Sequence, residues 1–315
     1  MTHQNTVIVL LGPTGVGKTG LSIFFAKALD TEIISADSMQ VYRHMDIGTS
    51  KPLRRELKEV KHHLIDISFP DEPFSAGLFK KMAVKIIDDL HNRGKIPVIV
   101  GGTGLYIKTL TRGLFEGPAA DWPLREKLID EDRQFGKGHL HRQLKKIDPA
   151  SAERINPNDT RRIIRALEVS LKADRRISEF QLLSTVPQNY NFVKIGLLRD
   201  RVELYRLIEQ RVDNMMQKGL LQETERLLKL NPHRIPLQAL GYKEMLFYIN
   251  GSVDIGEAVR LLKKRTKMYA KRQLTWFKKE TDVNWVDITG IHDAEEVFSK
   301  VINNVEILKD LLYVK

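Results

Sequence analysis

The chain has 315 residues, 42% hydrophobic and 29% charged, which suits one large domain or two to three smaller ones and excludes wholesale disorder. It contains no cysteine, which excludes disulfides, iron–sulfur clusters and thiolate zinc sites and suits a reducing compartment. Lysine and arginine number 51 against 40 acidic residues, and the resulting +11 fits either a polyanionic partner or an enzyme that is simply basic.

Thr6–Leu11 is a continuous apolar run, the pattern of a strand buried on both faces. No basic n-region precedes it, and no apolar run approaches the ~20 residues that span a bilayer. The expected location is therefore cytoplasmic. A glycine-rich stretch, Gly12–Lys18, follows, and then Leu21, Phe24, Phe25, Ala28 and Leu29 recur at helical spacing. Glu32–Ser35 reads as a second strand leading to Asp37, and Leu64–Ile67 as a possible third. Leu78–Leu90 is helical, with Gly94 as its stop, and Ile96–Val100 is another buried strand. Strands alternating with helices predict an α/β fold with a parallel sheet covered on both sides.

From 116 to 190 the chain is polar, with helical stretches near 123–134, 138–147 and 158–173, the pattern of an all-helical insertion. Strand character returns at Phe192–Leu198. Helical tracts over Val202–Leu230 and Glu257–Lys279 follow, then a last strand at Asn284–Ile288. The expected organisation is a core of 1–115 plus 191–315 and an insertion of 116–190.

Gly12-Pro13-Thr14-Gly15-Val16-Gly17-Lys18-Thr19 matches G-x-x-x-x-G-K-[ST] between a strand and a helix. Small residues let successive amides point into one anion nest, and the helix adds its positive end. Lys18 reaches a terminal phosphate, and the Thr19 hydroxyl suits Mg²⁺. The motif does not say whether the phosphates belong to a nucleotide. There is no N-K-x-D guanine signature, and no apolar strand ends convincingly in a second acid. Leu64-Ile65-Asp66 is the nearest and is weak.

Asp37 lies past the second strand, at the sheet edge where ligands bind, and fits a metal ligand, a general base or a turn cap equally. Gly101-Gly102-Thr103-Gly104 opens on the same edge and alone reads as a tight strand–helix turn. Arg211 falls on the apolar stripe of Leu204, Leu207, Ile208 and Met215, so it needs an anionic partner, either an internal carboxylate or a bound one. His62 and His63 are adjacent and read as structural; Trp276 and Phe277 fit the core. Nine lysines and arginines between Arg260 and Lys279, with no acid, and the cluster Arg161, Arg162, Arg165 suit phosphate-backbone contact or a solvated face.

GPTGVGKT at 12–19, DSMQVY at 37–42, MDIGTSKP at 45–52, HHLID at 62–66, FSAGLF at 74–79, GGTGLY at 101–106, NDTRRIIRALE at 158–168, QALGYKE at 238–244 and YAKRQLTWF at 269–277 follow one another in this order. Taken together they resemble the tRNA dimethylallyltransferases nearly end to end. Without cysteine the chain cannot carry the C-terminal zinc finger common in eukaryotic members, which points to the bacterial type. Gly15 stands where many members have Ala, a change that leaves the nest intact.

The resemblance implies a P-loop NTPase-like sheet flanked by helices, with an all-helical insertion contacting tRNA. It implies transfer of a dimethylallyl group from dimethylallyl diphosphate to the exocyclic amine of the adenosine 3′ of the anticodon, with Mg²⁺ as cofactor. The expected partners are tRNA and the prenyl diphosphate, with no membrane, in a monomer. Gly12, Pro13, Thr14, Gly15, Val16, Gly17, Lys18 and Thr19 would hold the diphosphate, joined by Arg211. Asp37 would be the general base or would position Mg²⁺ through water. Asp37, Ser38, Met39, Gln40 and Thr103 would meet the target nucleotide. Arg161, Arg162 and Arg165 would contact the stem-loop, and Gln238, Gly241 and Tyr242 loop bases. The alternatives are a P-loop small-molecule kinase and a non-catalytic RNA-binding P-loop protein.

Overall fold

A computed structural model describes residues 5–115, 117–173, 175–183 and 187–313. They form two compact units, Met1–Ile107 with Asn189–Lys315, and Lys108–Gln188.

The larger unit is built on six parallel strands: β1 (Thr6–Leu11), β2 (Ile33–Ser35), β3 (His62–His63), β4 (Val98–Gly101), β5 (Asn191–Leu198) and β6 (Val283–Asp287). Their order is β3-β2-β4-β1-β5-β6. Every residue of β1 is buried, as a central strand covered on both faces requires. Leu11 pairs with Gly101 on one side and Gly196 on the other, so the loops after β1 and β4 leave the sheet at one level. The expected third strand, Leu64–Ile67, is not one. Leu64 and Asp66 take φ of 61° and 55°, left-handed values that no strand accommodates, and the pairing falls instead on His62–His63.

The helices in chain order are α1 (Lys18–Ala28), α2 (Arg54–Glu59), α3 (Ala76–Asn92), α4 (Gly104–Thr111), α5 (Trp122–Phe135), α6 (His139–Ile147), α7 (Pro149–Arg154), α8 (Thr160–Ala173) and α9 (Ile177–Leu183). After β5 come α10 (Arg201–Gln217), α11 (Leu220–Leu228), α12 (Tyr242–Ile249), α13 (Ile255–Phe277), α14 (Ala294–Asn304) and α15 (Glu306–Tyr313). The helical tract expected from 202 to 230 consists of α10 and α11, divided at Gly219, whose φ of 93° starts α11. None of the described helices is long and apolar enough to cross a membrane.

The smaller unit has its own core, with Leu128, Leu140, Leu144, Ile163 and Leu167 buried together. Two buried carboxylates organise it. Asp148 accepts from the amides of Ser151 and Ser178, both at 3.0 Å, and from both hydroxyls, tying α7 to α9. Glu168 takes a bidentate pair from Arg125 at 2.8 Å and a further bond from Arg165.

Candidate active site

The loop between β1 and α1 forms an anion nest. Gly12 has φ 148°, and a Cβ there would come 3.0 Å from the Leu197 carbonyl. Gly17 has φ 113° and caps α1 without a side-chain bond, and the first turn carries no acid. The amides of Gly15, Gly17, Lys18 and Thr19 have no partner among the described residues. Four unpaired donors at a helix N-terminus attract an anion. Lys18 Nζ donates to the carbonyls of Gly12 and Pro13, both at 2.8 Å, which holds the ammonium at the mouth of the nest. Burial, reinforced by Arg211 and partly offset by Asp37, pulls the Lys18 pKa from 10.5 to about 7.

The nest opens into a cavity of about 320 Å³ at the carboxyl edge of the sheet, lined among others by Thr19, Asp37, Arg211, Tyr269 and Gln273. Asp37 Oδ1 accepts from the Met39 amide at 2.9 Å; its other oxygen has no hydrogen-bond partner among the described residues. Arg211 likewise makes no hydrogen bond or ion pair with a described residue. Burial lowers its pKa and Asp37 raises it. The cavity thus holds two cations, one carboxylate and a set of free amides, an arrangement that accepts a multiply charged anion.

The second glycine loop lies against Asp37 through close backbone packing. A Cβ on Gly101 would fall 2.2 Å from the Ala36 carbonyl, and one on Gly104 2.3 Å from the Trp276 ring. This contact lets Thr103 Oγ1 accept from the Ser38 amide at 2.9 Å, fixing the backbone beside Asp37. Gln40 turns inward, accepting from Ser35 at 3.0 Å and donating to Ser50 at 3.3 Å.

The loop 46–48 explains other motif residues. Buried Glu223 accepts from the amides of Asp46, Ile47 and Gly48 and from the Tyr242 hydroxyl. The Tyr242 ring is fully buried beneath Gly48, where a Cβ would come within 2.4 Å. Tyr242 therefore belongs to the core, not to a surface that reads RNA bases. Gly241 is buried too, with φ 94°, and its amide donates to Glu244. Gln238 is exposed and accepts from Lys243 at 3.1 Å.

Within the smaller unit the three arginines of α8 differ. Arg165 is held by Glu168 and the Pro118 carbonyl, and Arg162 pairs with Asp159 at 3.3 Å. Arg161 is exposed and makes no ion pair among the described residues. On α13, Arg260, Lys263, Arg265 and Lys267 are each paired with an acid, whereas exposed Lys264 and Lys271, and Lys278 just past its end, have no such partner among the described residues. Phe277 is buried.

Sequence reasoning passed over Tyr269 and Gln273. They stand four residues apart on one face of α13, and the surrounding basic run drew attention to the charges instead.

The fold and site define a phosphate-loop α/β protein whose nest faces a carboxylate across a positively biased cavity. A family model described as IPP transferase matches residues 40–280. The tRNA dimethylallyltransferase of Thermodesulfovibrio yellowstonii is 52% identical over 307 residues, covering 94% of this chain and 97% of its own. A crystal structure of the full-length tRNA isopentenylpyrophosphate transferase of Bacillus halodurans superposes with TM-score 0.70 at 40% identity, covering 98% of this chain and 99% of its own. A eukaryotic dimethylallyltransferase, described as acting on tRNA, gives TM-score 0.79 at 29% identity over 98% of this chain and 84% of its own. The chain belongs to the IPP transferase family.

Proposed function

We propose that the chain transfers a dimethylallyl group from dimethylallyl diphosphate to the exocyclic amine of the adenosine 3′-adjacent to the anticodon in tRNA. One observation supports this most: a phosphate nest, two cations and a carboxylate with a free oxygen share one cavity. In the reaction the prenyl carbon–oxygen bond breaks as the carbon–nitrogen bond forms. The amine is a poor nucleophile, its lone pair delocalised into the ring, and the free oxygen of Asp37 takes its proton. Charge gathers on the departing diphosphate, where the loop amides, Lys18 and Arg211 are preorganised to meet it. The target base leaves the stack at a cost of a few kcal/mol, with Ser38, Met39, Gln40 and Thr103 framing its site.

No group of three His, Cys, Asp or Glu able to hold a metal occurs among the described residues. That suits Mg²⁺, which keeps several waters and binds chiefly through substrate phosphates. The exposed Thr19 hydroxyl, hydrogen-bonded to no described residue, would hold it, with Asp37 reaching it through water. Bound there, the ion supplies countercharge to the diphosphate. In this reading Arg161, Arg162 and Arg165 receive the anticodon stem-loop, and the enzyme works as a cytoplasmic monomer. The kinase alternative is set aside, because family and relatives transfer prenyl groups.

The test is transfer of label from dimethylallyl diphosphate to an anticodon stem-loop with adenosine 3′ of the anticodon. Label should enter the RNA, and EDTA should stop it. ATP-dependent phosphorylation of a small acceptor without such transfer would refute the reading.

A further inference from the structure

Gln273 is 6% exposed, near the C-terminal end of α13, and both ends of its amide are engaged. Its Oε1 accepts from the Thr14 amide at 2.8 Å, and its Nε2 donates to the Gly102 carbonyl at 2.8 Å. Tyr269 stands one turn before it on the same face of the helix and lines the same cavity. The orientation is forced, because a reversed amide would set N–H against N–H and carbonyl against carbonyl. The approach is as close as backbone allows: a Cβ on Gly102 would fall 2.3 Å from Nε2.

The two partners belong to the two halves of the site. Thr14 lies in the phosphate loop. Gly102 precedes Thr103, whose hydroxyl fixes the backbone beside Asp37. Among the described residues no other side chain hydrogen-bonds to both loops. Tyr269 and Asp37 line the same cavity, and burial first, with the charge of Asp37 second, raises the Tyr269 pKa.

We propose that Gln273 is a positioning residue that holds the diphosphate subsite and the acceptor subsite in one fixed geometry. The proposal rests on the transferase reading above. Gln273 touches neither reacting atom; it sets the distance between the carbon bearing the leaving group and the base. Small misplacements of reacting groups cost rate steeply, about a hundredfold for 1 Å.

The decisive variant is Gln273→Glu. A protonated carboxyl reproduces both bonds, with its carbonyl accepting from Thr14 and its hydroxyl donating to Gly102. An ionised one opposes the Gly102 carbonyl and the diphosphate. Burial, the Gly102 carbonyl dipole and the charges of the diphosphate and Asp37 raise the carboxyl pKa above its ordinary value of about 4.3, outweighing the opposing pull of Lys18 and Arg211, which the diphosphate neutralises. With both substrates saturating, kcat at pH 8 should fall about thirtyfold below wild type and recover to within about threefold at pH 6. Gln273→Met, of similar length but making neither bond, should lose kcat by a similar factor at both pH values. A Glu variant that melts with the wild type and shows the same ratio to it at pH 6 and pH 8 overturns the proposal. So does a Met variant with wild-type kcat, whatever the Glu variant does. Absence of transfer by the wild-type protein strikes the transferase reading itself, and this one with it.

Discussion

Lys18 should make binding of the prenyl diphosphate depend on pH. Burial and the neighbouring Arg211 lower its pKa from 10.5 to about 7 in the free protein. At about 1.36 kcal/mol per pH unit, that fall corresponds to roughly 5 kcal/mol of unfavourable surroundings for the ammonium. A diphosphate in the nest supplies the missing negative charge and moves the pKa back up. Between about 7 and that higher value, the complex holds one more proton than the separated partners. Affinity then falls as pH rises, by up to about tenfold per unit. Below 7 Lys18 is charged in both states and contributes no slope. From pH 7 to pH 9 the Kd should thus rise by up to about a hundredfold. Calorimetric titration of dimethylallyl diphosphate at constant ionic strength measures it, with Lys18→Met as the reference. The wild-type curve should bend near 7 and show proton uptake above it; Lys18→Met should bind weakly with no bend. Parallel curves for the two proteins would refute the reasoning.

Asp37→Ala should lower kcat about 10²–10⁴-fold, the usual worth of a general base, while tRNA affinity stays within a few-fold; near-normal turnover removes Asp37 from the proton transfer. Glu223→Ala should lower stability by about 3 kcal/mol, because it strips the amides of Asp46, Ile47 and Gly48 and the buried Tyr242 hydroxyl of their acceptor. Chemical denaturation reads this directly, and an unchanged midpoint contradicts the role given to Glu223. Arg161→Glu should raise the KM for tRNA several-fold and reduce its salt dependence by about one phosphate contact; kinetics identical to wild type at low and high salt would clear Arg161 of RNA contact.

Five of the six strands, the phosphate loop and the helical stretches near 123–134, 138–147 and 158–173 were legible because each carries a local signal. A buried run reads as a central strand, and glycine at fixed spacing reads as a nest. The third strand was not legible. The apolar residues at 64–67 imitate a strand, while the turn that excludes one is enforced by bonds from Asp66 and Ile67 to the carbonyls of Gln40 and Val41. Tyr242 was misplaced for a similar reason. Its motif points to function, yet its burial is decided by Gly48, nearly two hundred residues earlier. Gln273 lies within the motif at 269–277, yet its role was not legible, because a glutamine among lysines and arginines has no local signature. Its meaning comes from two backbone groups, one 259 and the other 171 residues away in sequence.

These misses share a physical cause that also explains the glycine motifs. The loops after β1 and β4 must both lie close to neighbouring atoms, Leu197 for Gly12, Ala36 for Gly101, Gln273 for Gly102 and Trp276 for Gly104. Each glycine is therefore half of a contact whose other half lies elsewhere in the chain. Glycine spacing alone fixes where the backbone must be bare, not what fills the space. The side chains that fill it come mainly from α13, a helix whose outward face is basic and whose inward face carries Tyr269 and Gln273. One helix thus presents charge to solvent and neutral hydrogen-bonding groups to the cavity. A cation in place of Gln273 would leave the Thr14 amide without an acceptor, and an anion there would oppose the diphosphate. A neutral amide, with a donor and an acceptor on one planar group, joins the two loops without changing the cavity's charge.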